Sequence, residues 1–127
     1  MKALYIEETD DSPKVIMDKE NKMFEISGKS LPEDVSKFYD PILAWLEKYS
    51  TDPLPETYLK INLEYFNTAS SKLLLDVFMI LEGIKENGSV VEINWYYPWY
   101  DEEMKDAGVE YSEMVDIKFN LILEKEH

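Results

Sequence analysis

Apolar and polar residues change their spacing abruptly at Asn67. Before it, Leu59, Ile61, Leu63 and Tyr65 alternate with Lys60, Asn62 and Glu64, the period-two pattern of a strand with one buried face. After it, Leu74, Val77, Phe78, Leu81 and Ile84 recur at three- and four-residue steps, with Leu73 and Ile80 on the flanks. The pattern predicts a strand over about 57–66 and an amphipathic helix over about 68–87, closed by Asn87-Gly88. The chain therefore passes from strand to helix across Asn67-Thr68-Ala69-Ser70.

The rest of the chain carries the same two periods. Leu4 and Ile6, then Val15 and Met17, predict two strands. Asp18-Lys19-Glu20-Asn21 makes a hairpin loop before a third strand with Phe24 and Ile26, which is expected to stop at Gly28. Val35, Phe38, Tyr39, Ile42, Leu43, Leu46 and Tyr49 form a helical stripe behind an Asp34 cap. Pro41 inside it implies either a kink or a fresh start capped by Asp40. Val91, Ile93, Trp95 and Tyr97 alternate in a further strand. Asp101-Glu102-Glu103 opens a short helix, acidic at its start as the helix dipole prefers, expected to end near Gly108. Ile117, Phe119, Leu121 and Leu123 alternate in a final strand.

The resulting order, βββαβαβαβ, predicts an α/β fold with a single mixed sheet of about six strands covered on its faces by helices, in one domain over residues 1–127. Right-handed crossovers place strands 57–66 and 90–97 parallel and adjacent. Their carboxyl ends then share one edge, where α/β sheets usually bind partners, and Thr68 is expected near Tyr96 to Asp101.

Composition narrows the function. The chain has 127 residues and a formal net charge of −14. Its basic residues are all lysine, and arginine, the usual bidentate reader of phosphate and guanine, is absent from the sequence. The negative field argues against nucleic acid and anionic membrane as partners. Without cysteine there is no disulfide or thiolate chemistry, and the only histidine is His127, in an expected disordered tail. That excludes histidine-based triads and most transition-metal sites. The first residues contain no secretory signal and no stretch of the chain is apolar enough to span a bilayer, so a cytoplasmic location is expected.

Few residues remain to carry chemistry. A helix start has unpaired amides and the positive end of the dipole. Thr68 there can cap the helix, and it can equally accept a phosphate; the two roles are compatible. Should Asn67 be the cap, the Thr68 hydroxyl is left to point outward. Ser70 and Ser71 are alternative acceptors, and Lys72, one turn along, is the nearest cation by sequence. The aromatic run Trp95 to Tyr100 reads either as core plus a proline turn or as an anchor, with Tyr96 on the second face and Trp99 past the strand. Asp101-Glu102-Glu103 lacks both the defined carboxylate separation of a glycosidase and the ligand spacing of a calcium loop, and reads as a solvated helix start. No catalytic set, metal or cofactor is expected.

A hydroxyl at the start of the helix after a central strand resembles the STAS domains of anti-sigma-factor antagonists in architecture, although their Asp-Ser-Ser-Gly signature is missing. A closer resemblance is carried by Ser12-Pro13-Lys14-Val15, Ile26-Ser27-Gly28-Lys29-Ser30, Phe38-Tyr39-Asp40-Pro41-Ile42 with Trp45-Leu46, Tyr65 to Lys72, and Asn94-Trp95-Tyr96-Tyr97. In that order these segments are similar to the SiaC family of bacterial regulatory phosphoproteins. Pro98-Trp99-Tyr100 stands where the family leads one to expect an uninterrupted acidic stretch.

The resemblance implies a non-enzymatic, phosphorylation-switched binding module. Thr68 matches the threonine phosphorylated by a partner kinase and released by a PP2C-type phosphatase, and the unphosphorylated form binds and activates a diguanylate cyclase. The contact positions expected around it are Asn67, Thr68, Ser70, Ser71 and Lys72, with Tyr96, Trp99 and Asp101. Two alternatives are an anti-sigma-factor antagonist and a carrier holding a small ligand in an aromatic pocket between sheet and helices.

Overall fold

The alternating strands assemble into one sheet whose register keeps most inward residues in line. The computed structural model describes residues 1–125; His127 lies outside them. The elements are β1 (Leu4–Ile6), β2 (Lys14–Asp18), β3 (Met23–Ser30), α1 (Val35–Tyr49), β4 (Glu56–Phe66), α2 (Thr68–Glu86), β5 (Val90–Pro98), α3 (Glu102–Met114) and β6 (Lys118–Glu124). The six strands lie side by side in chain order. β1, β2 and β3 are antiparallel, and β3 to β6 are parallel.

Strictly sequential parallel strands joined by right-handed crossovers put every helix on the same side. The burial pattern agrees. Val15, Ile26, Ile61, Trp95 and Leu121 are successive partners across the sheet, and the first four are buried under the helices. The neighbouring row, Tyr5, Ile16, Glu25, Lys60, Asn94 and Asn120, faces the other way and is partly or fully exposed. The expectation of helices on both faces is therefore corrected: one face carries the helices and the other is open.

Four further corrections concern single elements. β3 does not stop at Gly28 but runs on to Ser30. Gly28 takes φ 115°, open to glycine but not to most residues, and the Glu8 side chain lies where a side chain at Gly28 would be. At the same point the β3–β4 register shifts: Gly28 faces Leu63 and Lys29 faces Tyr65, so Glu64 is an extra residue in β4. The extra residue reverses the facing of Tyr65 and Phe66. Tyr65, expected inside, is 52% exposed, and Phe66 turns inward against Trp95 and Tyr111.

Pro41 does not open a fresh helix behind Asp40: α1 is one helix with the proline on its solvent side, where water can satisfy the carbonyl left unpaired. Gly108 is not a stop. It sits buried within α3, where a β-carbon would come 2.6 Å from Trp95 Cδ1 and 2.9 Å from Leu121 Cδ2, so glycine lets this helix lie against β5 and β6. Leu121 and Leu123 alternate as expected but stay 36% and 44% exposed, because β6 is the edge strand.

Between sheet and helices the aromatic side chains fill the space themselves. Phe78 packs edge-on against Tyr111 (4.9 Å between centroids) and Phe119 (5.4 Å), and Trp95 contacts both.

Candidate functional site

The start of α2 is built from Asn67 outward. Asn67 is extended (φ −85°, ψ 172°), and its side chain accepts a hydrogen bond from the Ser70 amide at 2.8 Å. This is the geometry of an N-cap, and it serves an amide that the helix cannot. Asn67 is thus the cap, and Thr68 is the first helical residue with an exposed side chain. Its hydroxyl is not needed for capping.

The residues on either side of Thr68–Ala69 are held from three directions. From β3, the Ser30 carbonyl accepts the Asn67 amide (3.0 Å) and the Ser70 hydroxyl (2.8 Å). From α1, the Tyr39 hydroxyl meets Ser30 Oγ at 2.6 Å, and Ser30 Oγ donates to Ser70 Oγ at 2.9 Å. Ser30 has one hydroxyl proton, already given to Ser70, so Tyr39 is the donor in its own bond. From α3, the Tyr111 hydroxyl donates to the Ser71 carbonyl at 2.8 Å. Burial pushes the ionisation of both tyrosines upward, so both remain protonated donors near neutral pH.

This arrangement corrects one expected contact residue. Ser70 is fully buried, its amide and hydroxyl both spent, and it cannot meet a partner or accept a phosphate without opening the core. Ser71 is partly exposed, with its hydroxyl donating to the Thr68 carbonyl at 2.8 Å, and Lys72 is exposed one turn along. Asn67, Thr68, Ser71 and Lys72 share one surface.

The remaining expected residues are only partly gathered there. Asp101 joins Glu64, Tyr65 and Phe66 in lining a shallow cleft at the end of β4, next to Asn67 in the chain. The β4–β5 ladder ends at Ile61 and Trp95, so Tyr96 to Pro98 pair with β6 alone. Tyr96 lies on the open face beneath the Lys60 ammonium, 5.0 Å from its ring centre. Trp99, 58% exposed, lines a separate cleft with Pro98, Tyr100, Glu124 and Lys125. Asp101 thus lies by the end of β4, while Tyr96 and Trp99 line other surfaces.

A feature missed from sequence lies beside the helix start. Phe66, Leu75, Ala107, Tyr111 and Met114 line an open cleft of about 340 Å³, with Lys72 and Glu110 at its rim. It stayed hidden because Gly108 reads as a helix end, which removes Tyr111 and Met114 from α3. The facing reversal at Glu64, which brings Phe66 in, had no local signal either.

Electrostatically the start of α2 is bare. It has a neutral cap and no acidic residue in its first turn, whereas α3 opens with Asp101, Glu102 and Glu103. Among the described residues no cluster of three or more metal-ligating side chains converges, and no helix is long and apolar enough to cross a membrane.

Comparison with known proteins fits this build. The chain is 26% identical over 119 residues to an uncharacterized protein of Pseudomonas aeruginosa strain UCBPP-PA14, covering 94% of each. Its fold superposes on apo-SiaC of Pseudomonas aeruginosa with a TM-score of 0.86 at 25% identity, covering 96% of this chain and 99% of that one. It also superposes on a crystal structure of the diguanylate cyclase SiaD in complex with its activator SiaC, with a TM-score of 0.89 at 25% identity, covering 95% and 99%. The model of the SiaC family regulatory phosphoproteins matches residues 6–124, and the chain belongs to that family.

Proposed function

We propose that this protein is a phosphorylation-switched binding module that docks on and activates a diguanylate cyclase while Thr68 is unmodified. The observation that carries this reading is the exposed Thr68 side chain at the first position of α2, relieved of capping by Asn67. Support for the partner comes from the complex of the related SiaC with SiaD.

In this reading a partner kinase transfers a phosphoryl group to Thr68. The Thr68 oxygen attacks the γ-phosphorus of ATP, the bond to the bridging oxygen breaks, ADP leaves, and the hydroxyl proton passes to a base of the kinase. A PP2C-type phosphatase returns the hydroxyl by hydrolysis and releases inorganic phosphate. The chain supplies the acceptor and no catalytic group, so it is a substrate and an effector, not an enzyme.

The switch is electrostatic. A phosphoryl group adds about −1.5 to −2 charges at neutral pH. It joins a chain that already carries −14, with no arginine to clamp it and Lys72 as the single cation one turn along. The positive end of α2 attracts the phosphate locally, while the added charge and bulk disfavour the docked partner. The fold is not reorganised. The docking surface centres on Asn67, Thr68, Ser71 and Lys72, with Asp101 at its border, and Tyr96 and Trp99 belong to separate surfaces.

Affinity capture from lysate with wild-type, Thr68→Ala and Thr68→Glu baits tests this. Wild type and Thr68→Ala are expected to retain the diguanylate cyclase, and Thr68→Glu to lose it. Equal retention by all three would contradict the reading.

A further inference from the structure

Thr68 stands among small polar residues, yet its neighbours are the most tightly bonded polar residues of the site. Asn67 donates to Ser30 and caps Ser70; Ser70 donates to Ser30; and the Ser71 carbonyl receives Tyr111. Thr68 and Ala69 stand exposed between these fixed points.

The tyrosines give this frame its direction. The donor chain runs one way, from the Tyr39 hydroxyl to Ser30 Oγ, to Ser70 Oγ, to the Ser30 carbonyl. It ties α1 to β3 and to the third residue of α2. Tyr111 ties α3 to the fourth. A buried hydroxyl network left half-satisfied loses its single arrangement, so removing a donor at its head loosens the turn that the network holds.

We propose that Tyr39 and Tyr111 are positioning residues of the phosphorylation switch: their hydroxyls hold the first turn of α2 so that Thr68 is presented in one orientation to the kinase. This rests on the reading of Thr68 as phosphoacceptor. The kinase recognises the folded helix start and not a flexible linear motif. A hydroxyl oxygen attacking phosphorus in line gains from being held near that geometry before the transition state, and an ångström of misplacement costs rate more than binding. The loss therefore falls on kcat, with KM little changed.

The molecule supplies a control. Tyr49, at the far end of α1, is buried with its hydroxyl 2.7 Å from Thr57 Oγ1, and it accepts the Leu54 amide at 3.1 Å. Tyr49→Phe removes a buried hydroxyl from the same core without touching the start of α2.

The experiment uses the full chain as wild type, Tyr39→Phe, Tyr111→Phe and Tyr49→Phe, with a kinase captured on the wild-type chain and supplied with ATP. Phosphate on Thr68 is followed by mass spectrometry, and amide hydrogen exchange is read at residues 67–71. Tyr39→Phe and Tyr111→Phe are expected to lower kcat at least about five-fold with KM within about two-fold, and to speed exchange in the first turn of α2. Tyr49→Phe is expected to leave both unchanged. Wild-type kcat in both tyrosine variants, or an equal fall in Tyr49→Phe, would overturn the proposal. Failure of the wild type itself to take phosphate at Thr68 overturns the underlying switch, a different and separable result.

Discussion

Two helices begin at the same edge of the sheet, and they begin in opposite ways. α3 is capped by Asp101 and continues with Glu102 and Glu103, so resident carboxylates meet its positive end. α2 is capped by neutral Asn67, with Thr68, Ala69, Ser70 and Ser71 after it. In a chain with 27 acidic residues, the helix start that carries the candidate acceptor is left without one. The α3 start is complete as built. The α2 start is held from outside, by Ser30, Tyr39 and Tyr111, and its first turn carries no acidic residue.

Alkaline pH is the strongest way to break this contrast, because only the α2 start leans on buried tyrosine donors. Burial raises the ionisation of Tyr39 and Tyr111 above the ordinary value of 10.0. Below that value both folded and unfolded chains hold the proton, and the stabilisation is fully present. As pH rises above it the unfolded chain ionises first, so stability is lost toward the folded-state values. Chemical denaturation is expected to show a steep fall above about pH 10, and Tyr39→Phe/Tyr111→Phe to flatten it. An unchanged profile in the double variant would mean that these tyrosines do not hold the helix start.

The caps give the next effect. Asn67→Ala and Asp101→Ala should each cost about 0.5–2 kcal/mol by denaturant melts. Only the Asp101 loss should shrink with added salt, because only that cap acts partly through charge. Equal salt dependence would mean the two starts are electrostatically alike.

Placing an acid on the bare start is the smallest change. Ala69→Glu gives α2 a first turn like that of α3 and is expected to stabilise the fold by about 0.3–1 kcal/mol. The same variant should weaken the proposed docking on a diguanylate cyclase, measured by calorimetry. Stabilisation with undiminished binding would separate charge at this place from docking.

How much of the fold and site was legible in the sequence depended on whether the cause was local. The α2 stripe, the Asn87-Gly88 stop and the Asp34 cap arise from neighbours in sequence, and the structure has them as read; Gly88 takes φ 110°. Asn67 as cap and Thr68 as exposed first residue were within reach of the same reasoning. The misses depend on distant partners. Ser70 is buried because Ser30, 40 residues away, receives its hydroxyl. Tyr65 faces out because β4 slips by one residue against β3. Gly108 carries the signal of a helix end but serves contact with Trp95 and Leu121. Helices on one face alone result from strand order, which alternation cannot supply.

In the proposed switch, modification of Thr68 alone decides docking. Its most direct test is calorimetric titration of the diguanylate cyclase with the unmodified protein and with protein stoichiometrically phosphorylated at Thr68. Phosphorylation is expected to cost at least about a ten-fold loss of affinity, equivalent to about 1.4 kcal/mol, with the fold unchanged by circular dichroism. Equal affinity of the two forms would contradict the claim.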